Sequence, residues 1–245
     1  MAVTLNASTS NGFVQTADTS GVLTLQSNGT TVLTVNPANV THANIALGTT
    51  AAGAFEYNGY SPYFTPFGTS RGAMPAYQYY ELNTASAGAN VSTVQSIFGL
   101  TNGFTLQAST IYEFESNFSI TKTAGTTSHN FSLLFGGTAT LNNIYYQVVL
   151  NAAASNLPVS NASGPSTSVT NSASALAINS GSTSATITQM VILKGIVSVN
   201  AAGTFLPQYQ LSAAPGGAYS TNIGSFFKIA PLAASGANVS IGNVS

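Results

Sequence analysis

TSATITQMVILKGIVSVNAAGTFLPQYQL, residues Thr183 to Leu211, is the stretch on which the fold turns. It holds the longest apolar run of the chain, Met190 to Val199, interrupted only by Lys194, Gly195 and Ser198. Apolar character alone does not separate strand from helix. The residue types do: Ile187, Val191, Ile192, Ile196, Val197 and Val199 are β-branched, stiff at χ1 and suited to a pleated surface. Asn200-Ala-Ala-Gly203 then reads as a turn, and Phe205, Leu206, Tyr209 and Leu211 open a second run. Two such runs about a short turn predict a β-hairpin. We place it at the buried centre of a β-sandwich, with Lys194 at a strand end or snorkelling to water.

Outward from this stretch, short alternating runs recur. Ala76–Leu82 carries three tyrosines, and Gly103–Leu106 is brief. Ile111–Ile120 puts Tyr112, Phe114, Phe118 and Ile120 on one face and Glu113, Glu115 and Asn117 on the other. Ser128–Phe135 alternates through Phe131, Leu133 and Phe135, and Leu141–Leu150 through Ile144, Tyr146, Val148 and Leu150. Residues 151–182, with Pro158 and Pro165, read as a long surface loop with a weak strand at Ala175–Ile178. Strands at Ser225–Pro231 and Asn238–Ile241 complete the count. The expected fold is all-β, an antiparallel β-sandwich or jelly roll over 76–245, with no amphipathic helix longer than two turns.

Two segments precede it. Residues 1–50 form a polar β-arm, in which Asn28-Gly29 turns one strand, Val22–Leu25, into another, Thr31–Val35. Two short strands do not bury enough surface to stand alone. The arm is therefore expected to pair with other subunits or a partner, through Val22, Leu25, Val32 and Val35. Residues 51–75 combine aromatics with Pro62, Pro66 and Pro75 and read as an extended connector without continuous sheet. Its Tyr57, Tyr60, Tyr63, Phe64 and Phe67 are the expected anchors on a neighbouring surface.

Only 4% of the 245 residues are charged, against roughly 25% in an ordinary soluble domain. Arg71, Lys122, Lys194 and Lys228 are scattered, which argues against nucleic-acid binding. No apolar run approaches the roughly 20 residues of a membrane span. The opening MAVTLNASTS does not read as a signal peptide. With no Cys there is neither a disulfide nor a thiolate metal site. A near-neutral chain lacks the self-repulsion that keeps copies apart, and so suits packing against itself.

Three stretches carry a family resemblance: Tyr57-Asn-Gly-Tyr-Ser-Pro-Tyr-Phe-Thr-Pro66 with Arg71-Gly72; Thr127 to Ile144, TSHNFSLLFGGTATLNNI; and Gly203-Thr-Phe-Leu-Pro-Gln-Tyr209 with Ala214-Pro-Gly-Gly-Ala-Tyr-Ser220. Over residues 55–245 the chain resembles the C-terminal region of fibre-like virion proteins of tailed bacteriophages. The resemblance implies a homotrimeric, jelly-roll-like virion component. Residues 1–50 lack a shaft-like repeat, so the expectation is a cement or decoration protein on the capsid exterior, partnered by itself and by the major capsid protein or other virion proteins. The alternative is a tail-fibre tip that recognises a host-surface glycan or protein, with tyrosines such as Tyr145 or Tyr219 stacking on sugars.

No catalytic motif is present. Glu113 and Glu115 fall on one strand face about 7 Å apart, a separation compatible with a glycosidase pair and equally with a solvated face. We read them as the latter, and the protein as non-enzymatic. His42 and His129 have no acidic cluster near them in sequence, although three copies of His129 about a trimer axis would supply a metal site. No cofactor is expected, since neither a Gly-rich phosphate loop nor a nucleophile elbow occurs.

Overall fold

The computed structural model describes residues 22–152, 166–170 and 172–240. Among them every regular element is a strand. The arm comprises β1 (Leu23–Ser27), β2 (Thr30–Val35) and β3 (Val40–His42), and a second small sheet comprises β4 (Phe55–Tyr57), β5 (Pro62–Phe64) and β6 (Gly72–Ala73). Then come β7 (Gln78–Glu81), β8 (Ser86–Ala87), β9 (Gln95–Ser96), β10 (Phe104–Leu106), β11 (Thr110–Lys122), β12 (His129–Gly136) and β13 (Thr140–Ala152). The remainder are β14 (Ser166–Thr170), β15 (Leu176–Ser182), β16 (Ile187–Ala201), β17 (Gly203–Leu211), β18 (Ser220–Thr221) and β19 (Phe226–Ala234).

From β7 onward, pairing runs inward from both ends of the chain. β7 pairs β19 at Tyr80↔Phe227, and β8 pairs β18 at Ala87↔Ser220. β9 and β10 both pair β17, at Gln95↔Tyr209 and Phe104↔Phe205. β11 pairs β16 at Glu115↔Lys194, β12 pairs β15 at Phe131↔Asn179, and β13 pairs β14 at Val148↔Ser168. All are antiparallel, so the strands from β7 to β19 pair as one long two-stranded ribbon. A second set of ladders, β13 with β16, β12 with β17 and β11 with β19, joins successive windings side by side. A ribbon wound on itself into two facing sheets is a jelly roll. The larger sheet runs β14-β13-β16-β11-β19-β7, and the smaller β15-β12-β17 with β9 and β10 on its outer edge.

The central stretch is buried as expected, but it is not a hairpin. β16 lies between β13 and β11, while β17 belongs to the facing sheet. Only Ala202 separates them. The long alternating strands β11 and β13 already occupy both edges of the 15-residue β16, so the chain leaves its sheet and crosses the core. Lys194 accordingly sits mid-strand on the outer face, not at a strand end.

Period-two patterning holds along β11, where residues alternate buried and half-buried throughout. Its inward face meets an aromatic core. The Phe114 ring lies 5.2 Å from Phe135, 5.7 Å from Phe205 and 5.8 Å from Phe227, and Phe135 stacks on Phe205 at 4.6 Å. Each such ring contributes about 1.5–3 kcal/mol of burial. Gly195, inward-facing on β16, supplies the room that Phe114 and Tyr146 occupy.

Three segment readings are corrected. Residues 51–75 are not an extended connector. β5 is the middle strand of a small sheet, and Pro62 is accommodated because it stands first in its strand, where the missing donor matters least. The 151–182 segment is not all loop: the strand expected at Ala175–Ile178 is present as β15, which pairs β12, and β14 is a further strand, which pairs β13; residues 153–165 and 171 lie outside the described residues. No strand forms at 238–240, and Ile241 lies outside the described residues.

Candidate functional site

The arm turns as its sequence predicts. Asn28 and Gly29 take φ of +50° and +75°, the left-handed pair that a tight hairpin turn requires. Residues 1–21 of the expected arm lie outside the described residues. A third strand, β3, adds to β2 at Val35↔Val40 and Leu33↔His42. Cross-strand partners share a face, so Leu23, Leu25, Leu33, Val35 and Val40 line one side of the sheet. Leu23, Leu25 and Val40 are exposed, at 39, 43 and 56%. Of the four expected arm contacts, Leu25 and Val35 lie on this face, Val32 points to the other, and Val22 precedes the sheet and is exposed. Leu23 and Val40 belong with them: Leu23 falls within the expected Val22–Leu25 strand, and Val40 is brought to this face by the third strand.

The aromatic segment divides. Tyr63 is a core residue, its hydroxyl accepting from Asn58 Nδ2 at 3.2 Å, and it is not available to another subunit. Tyr57, Tyr60 and Phe64 are half-buried, while Phe67 is exposed. Phe55 is exposed and packs its ring 4.7 Å from Phe64. An ion pair clasps this sheet: Arg71 donates to both Glu56 oxygens at 2.7 and 3.0 Å and to the Gly48 carbonyl at 2.6 Å. A cleft of about 300 Å³ separates it from the arm, lined by Leu25, Val32, Leu33, Ile45 and Phe55 among others.

The outer face of the larger sheet gathers charges that are distant in sequence. Gln147, Lys194, Glu115, Lys228 and Tyr79 stand side by side on β13, β16, β11, β19 and β7. Glu115 lies 3.2 Å from Lys228 Nζ and 3.7 Å from Lys194 Nζ. Glu113 instead accepts from the Tyr77 hydroxyl at 2.8 Å, a bond that raises the Tyr77 phenol above its ordinary pKa. The two carboxylates thus share a face as read, each with its own partner. The lysines were not legible as their neighbours without the strand order.

His129 is not at a surface axis. It is buried, with Nδ1 2.7 Å from the Thr127 carbonyl and Nε2 2.7 Å from the Tyr219 hydroxyl. A carbonyl only accepts, so Nδ1 carries the proton and Nε2 accepts from Tyr219. Burial, reinforced by the nearby Lys122 charge, lowers the imidazole pKa against the opposing Thr127 bond. Three copies of such a residue do not converge on a metal. Tyr219 is buried with it and presents no ring to a sugar, whereas Tyr145 is half exposed. Among the described residues no group of three His, Asp or Glu side chains is placed to hold a metal ion. No helix there is long and apolar enough to cross a membrane. Comparison of the chain with family models, with curated proteins and with solved structures gives no match.

Proposed function

We propose that the protein is a non-enzymatic structural component of a bacteriophage virion, a homotrimer that seats on the capsid exterior as a cement or decoration protein. The observation that carries the reading is the arm. It is a three-stranded sheet with Leu23, Leu25 and Val40 exposed along one face and no fully buried side chain of its own. Such a sheet gains stability when another chain covers that face. Capsid protein and neighbouring copies are the partners of suitable chemistry, because the surface is apolar and amide-rich. The virion setting and the trimer come from the sequence resemblance. Three arms on one assembly would multiply modest single contacts into strong attachment.

The test places charge on the apolar face, with Leu25→Lys and Val40→Lys in the full chain. Co-sedimentation with capsid shells is expected to fall at least tenfold, a loss of about 1.4 kcal/mol, while the urea midpoint of the jelly roll stays unchanged. A variant that decorates shells as well as the parent refutes the assignment of the arm.

A further inference from the structure

The charged face of the larger sheet borders a cleft of about 470 Å³, within the range of roughly 300–1,000 Å³ typical of ligand sites. Two Glu and two Lys line it, Glu113, Glu115, Lys194 and Lys228, between the rings of Tyr77 and Tyr145. All six stand on the jelly roll or immediately before β7, and none belongs to the arm. We propose that this cleft binds a neutral oligosaccharide.

The formal charges of the cleft cancel. Glu115 is already shared between two ammonium groups, so a ligand anion or cation finds its counter-charge engaged. A sugar hydroxyl both donates and accepts. It is the group that bonds a carboxylate and an adjacent ammonium at once, and Gln147 extends the row with an amide of the same double character. The Lys194 side chain is 65% exposed, which leaves donors open to a ligand. Tyr77 is fixed by its bond to Glu113 and by the Lys228 ammonium 5.1 Å from its ring centre. Tyr145 stands across the strands from it, on the row Tyr145↔Ile196↔Glu113. A pyranose presents apolar C–H faces, which pack on such phenol rings. Most of these side chains project from central strands paired on both edges, so the polar row is held in place before any ligand arrives.

The test is saturation-transfer NMR on the full chain with neutral trisaccharides of glucose, galactose, mannose and N-acetylglucosamine, each at about 5 mM to suit a shallow site. At least one is expected to receive saturation. The signal should fall at least fivefold in Tyr145→Ala and in Lys194→Met, and persist in Tyr145→Phe, which keeps the ring. It should also persist in the Leu25→Lys, Val40→Lys protein, which separates this site from the assembly reading. No transfer to any neutral sugar, or undiminished transfer in Tyr145→Ala, overturns the proposal. So does a stronger signal from a sialylated trisaccharide. A change in sedimentation mass on Tyr145→Ala without sugar binding would make this face a contact between copies instead, and likewise overturns it.

Discussion

Gly195→Ala is the smallest change that probes the centre of the sandwich. The backbone at Gly195 is not left-handed, so the position does not need glycine for its φ. What it lacks is space. A Cβ there would lie 2.5 Å from Phe114 Cζ, 2.6 Å from the Tyr145 carbonyl oxygen and 2.6 Å from Tyr146 Cβ. Phe114 is hemmed in by Phe135, Phe205 and Phe227, and residue 145 belongs to the β13–β16 ladder. Overpacking a core costs about 1–3 kcal/mol, and rigid neighbours put this site at the upper end. Removing glycine from a strand interior returns about 0.5–1 kcal/mol. The net expectation is a loss of about 2 kcal/mol, seen as a lower urea midpoint at unchanged m. For a chain of this size that corresponds to about 4–8 °C in Tm. In a Phe114→Leu background, where one of the three contacts is relieved, Gly195→Ala should cost less than it does in the parent, but still cost something. A Gly195→Ala protein as stable as the parent would refute the argument that aromatic packing excludes a side chain here.

Two further outcomes follow from buried charge. Arg71 and Glu56 keep only 13 and 17% of their side-chain surface exposed, so their double-mutant coupling should be about 2 kcal/mol, between that of surface and fully buried pairs. Hydrogen exchange at the Gly48 and Thr65 amides in Arg71→Met, Glu56→Leu and the double variant measures it; a coupling under about 0.5 kcal/mol would rank the clasp with surface pairs. For His129, burial lowers the folded pKa below its ordinary 6.5, so on acidification the unfolded chain takes the proton first. Stability is then present in full above about pH 6.5 and declines below it, by at most about 1.4 kcal/mol per unit, until the folded imidazole also titrates. Urea unfolding from pH 8 to 5 should show this decline in the parent and a shallower one in His129→Gln.

The strand faces were legible because period-two alternation is local. Tyr112, Phe114, Phe118 and Ile120 point inward as their spacing requires, and so do Phe131, Leu133 and Phe135. Strand partnership is not local. β16 and β17 carry the pattern of a hairpin, yet β16 pairs the 13-residue β11 and β13 while β17 pairs β12 in the facing sheet. The same non-locality hid the cleft. Glu113 and Glu115 stood out by spacing, but Lys194 and Lys228 become their neighbours only once β11 lies between β16 and β19. Short strands such as β6, β8 and β18 owe their conformation to a partner's edge, and carry no alternation that a sequence could display.

The scarcity of charge takes on a second meaning in the folded chain. Every charged side chain among the described residues has at least one charged or polar partner. Arg71 holds Glu56, and Glu115 is shared by Lys194 and Lys228. Glu113 and Glu81 accept from Tyr77 and Tyr79. Lys122, buried at the end of β11, donates to the carbonyls of Ala124, Gly125 and Ser184 and ties two loops together. Charges used this way set local geometry and leave little long-range field. Copies of the protein can therefore approach without electrostatic resistance, and what decides association is the complementarity of amide-rich and apolar faces. Outside the jelly roll, the arm presents such an apolar face through Leu23, Leu25 and Val40.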